Sequence, residues 1–173
     1  ALEEGADLIL GPLFARSTRA VGAAVAGQGV AVLSFSNDSA VAGGPVWITG
    51  YTPEAEARHI VAHAGRRGIR RIAVFRPDTE YGAKALAGAR AAGGTRLAPV
   101  ASYERSFRGI ERASGGFAES ARLEGARAVL LPAGGDELKT VASFLNYHAL
   151  DPESVRYLGL RKWQSAASFE EPA

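Results

Sequence analysis

Short apolar runs recur along this chain, and most are followed by a stretch with helical spacing. That alternation constrains the fold more than any other feature. Asp7–Leu10, Val30–Ser34, Val46–Thr49, Arg71–Phe75, Leu97–Tyr103, Ala128–Leu131 and Val155–Gly159 read as strands. Most are continuously apolar rather than alternating, the pattern of a parallel sheet covered on both faces. Helices are predicted over Ser17–Gln28, with Ser17 or Thr18 near the cap, and from Thr52-Pro53-Glu54 onward. Further helices are predicted over Tyr81–Ala92, Phe117–Glu124 and Asp136–Ala149. In the second of these, Ala57, Ile60, Val61 and Ala64 fall on one face. Glu104–Gly116, rich in Gly, Ser and Arg, is expected to be a loop. The fold class is α/β with right-handed crossovers between parallel strands.

Composition narrows the function classes. A chain of 173 residues can bury a core as one domain or two small lobes. Without cysteine there are no disulfides or thiolate metal sites. Without methionine, Ala1 is not a native start, so the chain is read as processed or internal. No apolar stretch is long enough to span a bilayer. The formal net charge is +2, and the dense basic cluster is Arg66, Arg67, Arg70 and Arg71. Arg66 and Arg67 close a predicted helix before Gly68, where cations oppose the helix dipole. No aromatic interleaving accompanies them, and no nucleic-acid partner is expected.

In open parallel sheets, ligands sit beyond the carboxyl ends of the strands. The segments there are Gly11–Ala15, Ser34–Asp38, Arg76–Tyr81, Pro132–Gly135 and Leu160–Trp163. They mix glycines, hydroxyls, an amide and aromatics, which suits a small polar ligand. Catalysis finds no support: neither G-x-S-x-G nor G-x-x-x-x-G-K-[ST] occurs. No catalytic residue, metal or cofactor is assigned. Gly134-Gly135 could approach a phosphate or simply make a tight turn. His59 and His63 have the spacing of a metal face, but Ile60 stands where a catalytic glutamate would be. Asp78 and Glu80 form an acid pair or cap the next helix. Phe14 and Phe35 are core or platform, Trp163 is packing or a cleft wall, and Arg161 is a solvated charge or a ligand clamp.

Taken in order, "GADLILGPLFARST", "GVAVLSFSND", "IRRIAVFRPDTEYG", "YERSF", "GARAVLLPAGGDE" and "VRYLGLRKW" resemble type I periplasmic binding proteins of the branched-chain amino-acid type. The resemblance implies Rossmann-like parallel-sheet lobes joined by hinge strands. Residues 1–50 would be a partial first lobe and 51–173 a nearly complete second one. The opening strands and the return to the first lobe would be missing. It also implies a ligand site at Phe14, Ala15, Ser36, Asn37, Asp38, Tyr81, Gly134, Arg161 and Trp163. Ala15 stands where amino-acid binders supply a hydroxyl, and Ser17 and Thr18 follow. Asp38 would repel a ligand carboxylate unless protonated or paired. Tyr81 matches the family's cleft aromatic, and Arg161 lies near the position of the acid that holds a ligand ammonium.

"GPLF", "FSND" and "GLRKW" are most similar to bacterial penicillin-binding protein activators. That implies a non-catalytic periplasmic regulator whose partner is a peptidoglycan synthase, a class A penicillin-binding protein. Attachment to the outer membrane would run through an N-terminal lipid anchor outside this chain. The alternative is the substrate-binding subunit of an ABC importer, holding a small polar ligand and docking on a permease. A third possibility is an α/β enzyme whose catalytic groups lie elsewhere.

Overall fold

The structure, a computed structural model, describes residues 5–164. It divides into two compact units, Ala1–Thr52 and Pro53–Ala173.

The first unit carries β1 (Leu8–Leu10), α1 (Ala15–Ala24), β2 (Ala31–Ser34) and β3 (Val46–Ile48), with a 3-10 turn at Ser39–Val41. Its strands form a parallel sheet in the order β1-β2-β3. Val25, Val32 and Val46 are buried together, with Ile9, Val21 and Val30 against them. On the sheet, Leu10 pairs with Leu33 and Leu33 with Trp47. Leu10 and Trp47 are exposed, so apolar burial in this unit is one-sided among the described residues.

The second unit carries α2 (Pro53–Arg66), β4 (Arg71–Pro77), α3 (Glu80–Ala91), β5 (Arg96–Tyr103), α4 (Phe107–Leu123), β6 (Ala128–Leu131), α5 (Gly135–Tyr147) and β7 (Arg156–Gly159). A 3-10 turn follows at Arg161–Gln164. The sheet is parallel throughout, in the order β5-β4-β6-β7. Pro99 cannot donate to a ladder and falls on the edge strand β5. Along β4 successive side chains point to opposite faces. Ile72 and Val74 pack with Ala57, Val61, Ala85 and Leu86 of α2 and α3. Ala73 and Phe75 pack with Ile110, Phe117, Val141 and Leu145 of α4 and α5. Helices therefore cover both faces, as the unbroken apolar strands predict.

Two expectations are corrected. Glu104–Gly116 is not a loop, because α4 begins at Phe107. The Ser106 side chain accepts a hydrogen bond from the Gly109 N–H at 3.0 Å, satisfying one free donor of the first turn. Ile110, Ser114, Phe117, Ala118 and Ala121 then form a buried stripe at helical spacing. The helix α1 starts at Ala15 with Phe14 at its cap, and no side chain caps it. Thr18 lies inside the helix, where its hydroxyl reaches both the Phe14 carbonyl at 3.0 Å and the Ser34 hydroxyl at 2.7 Å.

Candidate functional site

Each unit gathers its strand-end loops at the carboxyl edge of its own sheet. In the first unit these hold Phe14, Ala15, Ser36, Asn37 and Asp38. Phe14 is 70% exposed and Asn37 is exposed, whereas Ser36 is buried.

A hydroxyl relay ties these loops together. The Thr18 and Ser34 oxygens are 2.7 Å apart and both residues are fully buried. The Ser34 hydroxyl also lies 2.9 Å from the Pro12 carbonyl, and it accepts from the Ser36 N–H at 3.1 Å. Each hydroxyl carries one hydrogen. The Phe14 carbonyl accepts both the Thr18 N–H at 2.9 Å and the Thr18 hydroxyl at 3.0 Å. With the Ser34 hydrogen on the Pro12 carbonyl, the one Thr18 hydroxyl hydrogen is shared between the Ser34 oxygen and the Phe14 carbonyl. The Ser36 hydroxyl in turn accepts from the Asp38 N–H at 3.1 Å. The Asp38 carboxylate accepts from the Ala40 N–H at 3.1 Å and pairs with Arg19 at 3.5 Å. The charge expected to repel a ligand carboxylate is therefore paired.

In the second unit the strand order changes direction at β4, with β5 on one side and β6 on the other. Loops at such a switch point open a crevice. Tyr81 follows β4, Gly134 follows β6, and Arg161 and Trp163 follow β7. The structure brings these together. The Lys162 ammonium stands 3.8 Å from the centre of the Tyr81 ring. A Cβ at Gly134 would lie 2.6 Å from the Lys162 carbonyl oxygen, so only glycine lets the turn pack so closely. The Trp163 Nε1–H donates to the Leu131 carbonyl at 3.0 Å, and a Cβ at Gly159 would strike the Trp163 ring. The Arg161 side chain is exposed, and its N–H donates to a Glu56 carboxylate oxygen at 3.1 Å.

The Tyr81 hydroxyl is buried with no hydrogen-bond partner among the described residues. Burial first, and the Glu56 carboxylate second, push its pKa up to about 12. Burial and Asp151 raise Tyr157 to about 12 as well. Tyr103 shifts upward mainly by burial, then through the neighbouring Glu137 carboxylate. A phenol whose folded pKa lies above the unfolded value of 10.0 stabilises the fold below pH 10. That stability is lost as pH climbs through about 12. Melting temperature is therefore expected to fall between those values. Tyr81→Phe should keep the neutral-pH melting point and soften the alkaline fall, which stepped-pH melting checks.

One polar cluster lies outside the residues singled out from sequence. Tyr103, buried at the end of β5, donates to Glu137 at 3.0 Å, and Arg105 binds the other carboxylate oxygen at 2.9 Å. Arg105 and Glu137 border a hollow of about 190 Å³ beside Ser106 and Phe107. "YERSF" carried the signal, but the loop expectation for Glu104–Gly116 hid it. His59 and His63 are both exposed on α2. No helix among the described residues is long and apolar enough to cross a membrane.

In parallel α/β units the loops beyond the strand ends are where a ligand sits when one binds. The periplasmic binding protein family profile matches residues 1–146. The chain belongs to that family, and its lobes are of type I. The family implies a periplasmic or envelope location.

A putative branched-chain amino acid ABC transporter from Rhodospirillum rubrum is similar over 90% of this chain and 45% of its own, at 16% identity and a TM-score of 0.73. Full-length LpoA from Haemophilus influenzae is similar over 92% of this chain and 28% of its own, at 19% identity and a TM-score of 0.71. A solute binding protein of an ABC transporter from Rhodopseudomonas palustris BisB5, in complex with 3,4-dihydroxy benzoic acid, covers 91% and 44%, at 16% identity and a TM-score of 0.56. These likenesses establish the fold. The chain spans less than half the length of each of these structures. No curated protein matches it.

Proposed function

We propose that the chain is a non-catalytic envelope regulator that works by protein contact, of the penicillin-binding protein activator type, with a peptidoglycan synthase as partner. One observation carries this reading. Several polar groups at the strand ends are engaged inside their own unit. Thr18, Ser34 and Ser36 are joined in the hydroxyl relay, Asp38 caps a turn and pairs with Arg19, and the Trp163 indole binds Leu131. A ligand would have to break such bonds, and buried groups left unpaired cost about 1–3 kcal/mol each. Likeness to LpoA, a penicillin-binding protein activator, supports the same assignment.

The test is co-purification of the chain with a class A synthase, alongside calorimetric titration with amino acids, small amides and aromatic acids. Retention of the synthase above a control domain, with no saturable heat from the solutes, is expected. Retention at the control's level overturns the proposal.

A second reading, the substrate-binding subunit of an ABC importer, rests on the first turn of α1. No side chain caps it and it holds no acidic residue, so its N–H groups suit an anionic ligand group. Saturable binding of a carboxylate solute, abolished by Ala15→Pro, would favour that reading.

A further inference from the structure

The sheet of the second unit has two edges, and the one opposite the ligand loops is lined with arginine. The strands β4 and β5 begin at Arg71 and Arg96, and Arg127 immediately precedes β6. Arg71 pairs in register with Arg96. The β4–β6 register, Ile72 with Ala128, sets Arg127 beside Arg71, and the Arg127 N–H donates to the Arg71 carbonyl at 3.0 Å. Three arginines thus stand in one cross-strand row of about 10 Å. The turn from α2 into β4 adds Arg67 and Arg70. Together Arg67, Arg70, Arg71 and Arg127 line an open hollow of about 460 Å³, and among the described residues no carboxylate lines it.

The ordinary role of such charges is to oppose helix dipoles, and α2, α3 and α4 all end at this edge. The magnitudes do not balance. Each helix end contributes about half a negative charge, so three ends offset about one and a half of the four guanidinium charges. Glu124, the nearby acid, pairs with Arg96 at 3.1 Å, outside the hollow. The Arg71 guanidinium donates to the Glu124 carbonyl at 3.0 Å and that of Arg70 to the Gly94 carbonyl at 3.4 Å. Neutral carbonyls orient those side chains without cancelling their charge. Gly125, with φ at +66°, supports the same arrangement, since a Cβ there would sit 3.1 Å from Arg71 Nη1.

We infer that this hollow is a phosphate-binding site suited to two linked or neighbouring phosphate groups. The guanidinium fork matches phosphate oxygens two at a time, and several forks in one row favour a multivalent anion over a single carboxylate. The site lies at the amino ends of the strands, away from the ligand loops, and is independent of the function proposed above.

The experiment uses the whole chain at low ionic strength. One arm titrates it with inorganic pyrophosphate. The other sediments it with phosphatidylglycerol vesicles against phosphatidylcholine vesicles. The Arg70→Ala/Arg127→Ala variant is compared with Arg58→Ala/Arg108→Ala, which removes equal charge from exposed positions on α2 and α4 outside the hollow. Circular dichroism and melting confirm that both variants fold.

Binding in at least one arm is expected, weakened about tenfold or more in the first variant and largely kept in the second. Binding to pyrophosphate alone assigns the site to a soluble ligand, and binding to vesicles alone assigns it to a lipid headgroup. Both outcomes uphold the site. No binding in either arm, or equal loss in the two variants, overturns it.

Discussion

Replacing Phe75 by alanine is expected to remove about 4 kcal/mol from the stability of the second unit. Phe75 is fully buried in the middle of β4, on the sheet face covered by α4 and α5. Its ring stacks on Phe117 with centroids 4.4 Å apart and tilts against Tyr103 at 4.8 Å. Alanine forfeits the transfer energy of the ring and leaves a cavity that a central strand cannot collapse to fill. Both ring contacts go as well, each worth about 0.5–1.5 kcal/mol beyond buried area. Domains are stable by about 5–15 kcal/mol, so much of the margin is at stake. The midpoint of urea unfolding should drop with an unchanged slope. Phe75→Leu, nearer in volume, should lose much less. If alanine were tolerated at a loss below about 2 kcal/mol, the packing described for this face would be wrong.

Residues such as Phe75 were legible because the fold is written in local patterns. Ile72–Phe75 and Ala128–Leu131 are unbroken apolar runs, and strands buried on both faces need that composition. The first half of α4 was hidden by Gly109, Gly115 and Gly116, which lower helix propensity without forbidding a helix. Its apolar period from Ile110 to Ala121 was present and outranks the glycines.

The site was legible only as a location. Topology places Ser36, Tyr81 and Trp163 beyond strand ends, but the destination of each polar atom depends on residues far away in sequence. Thr18 meets Ser34, the Trp163 indole meets Leu131, and Gly134 is fitted to Lys162. None of these pairings has a local signature. The arginine row is similar. Arg66 to Arg71 stand out in the sequence, but Arg96 and Arg127 join them only through strand register.

Close backbone approach is equally invisible to pattern, and it underlies the second large effect. Gly88→Val is expected to destabilise the second unit by about 3 kcal/mol. Gly88 lies in α3, and a Cβ there would sit 2.0 Å from the Glu54 carbonyl oxygen and 2.6 Å from its Cα. These are backbone atoms in the first turn of α2, so no side chain can swing aside. Accommodation requires the two helices to separate, yet both are fixed on one face of the sheet by Ala57, Val61, Ala85 and Leu86. Moving either helix exposes that apolar surface at about 25 cal/mol per Å². Alanine already brings the clash, and valine adds bulk and helix-disfavouring branching. Gly116→Ala is the control. It is also within a helix, is exposed, and its Cβ would meet nothing within 4 Å. It should stabilise by about 0.5–1 kcal/mol through helix propensity alone. Opposite signs for the two glycine substitutions in thermal and urea unfolding would separate helix contact from propensity, whereas a stabilising Gly88→Val would refute the close approach of α2 and α3.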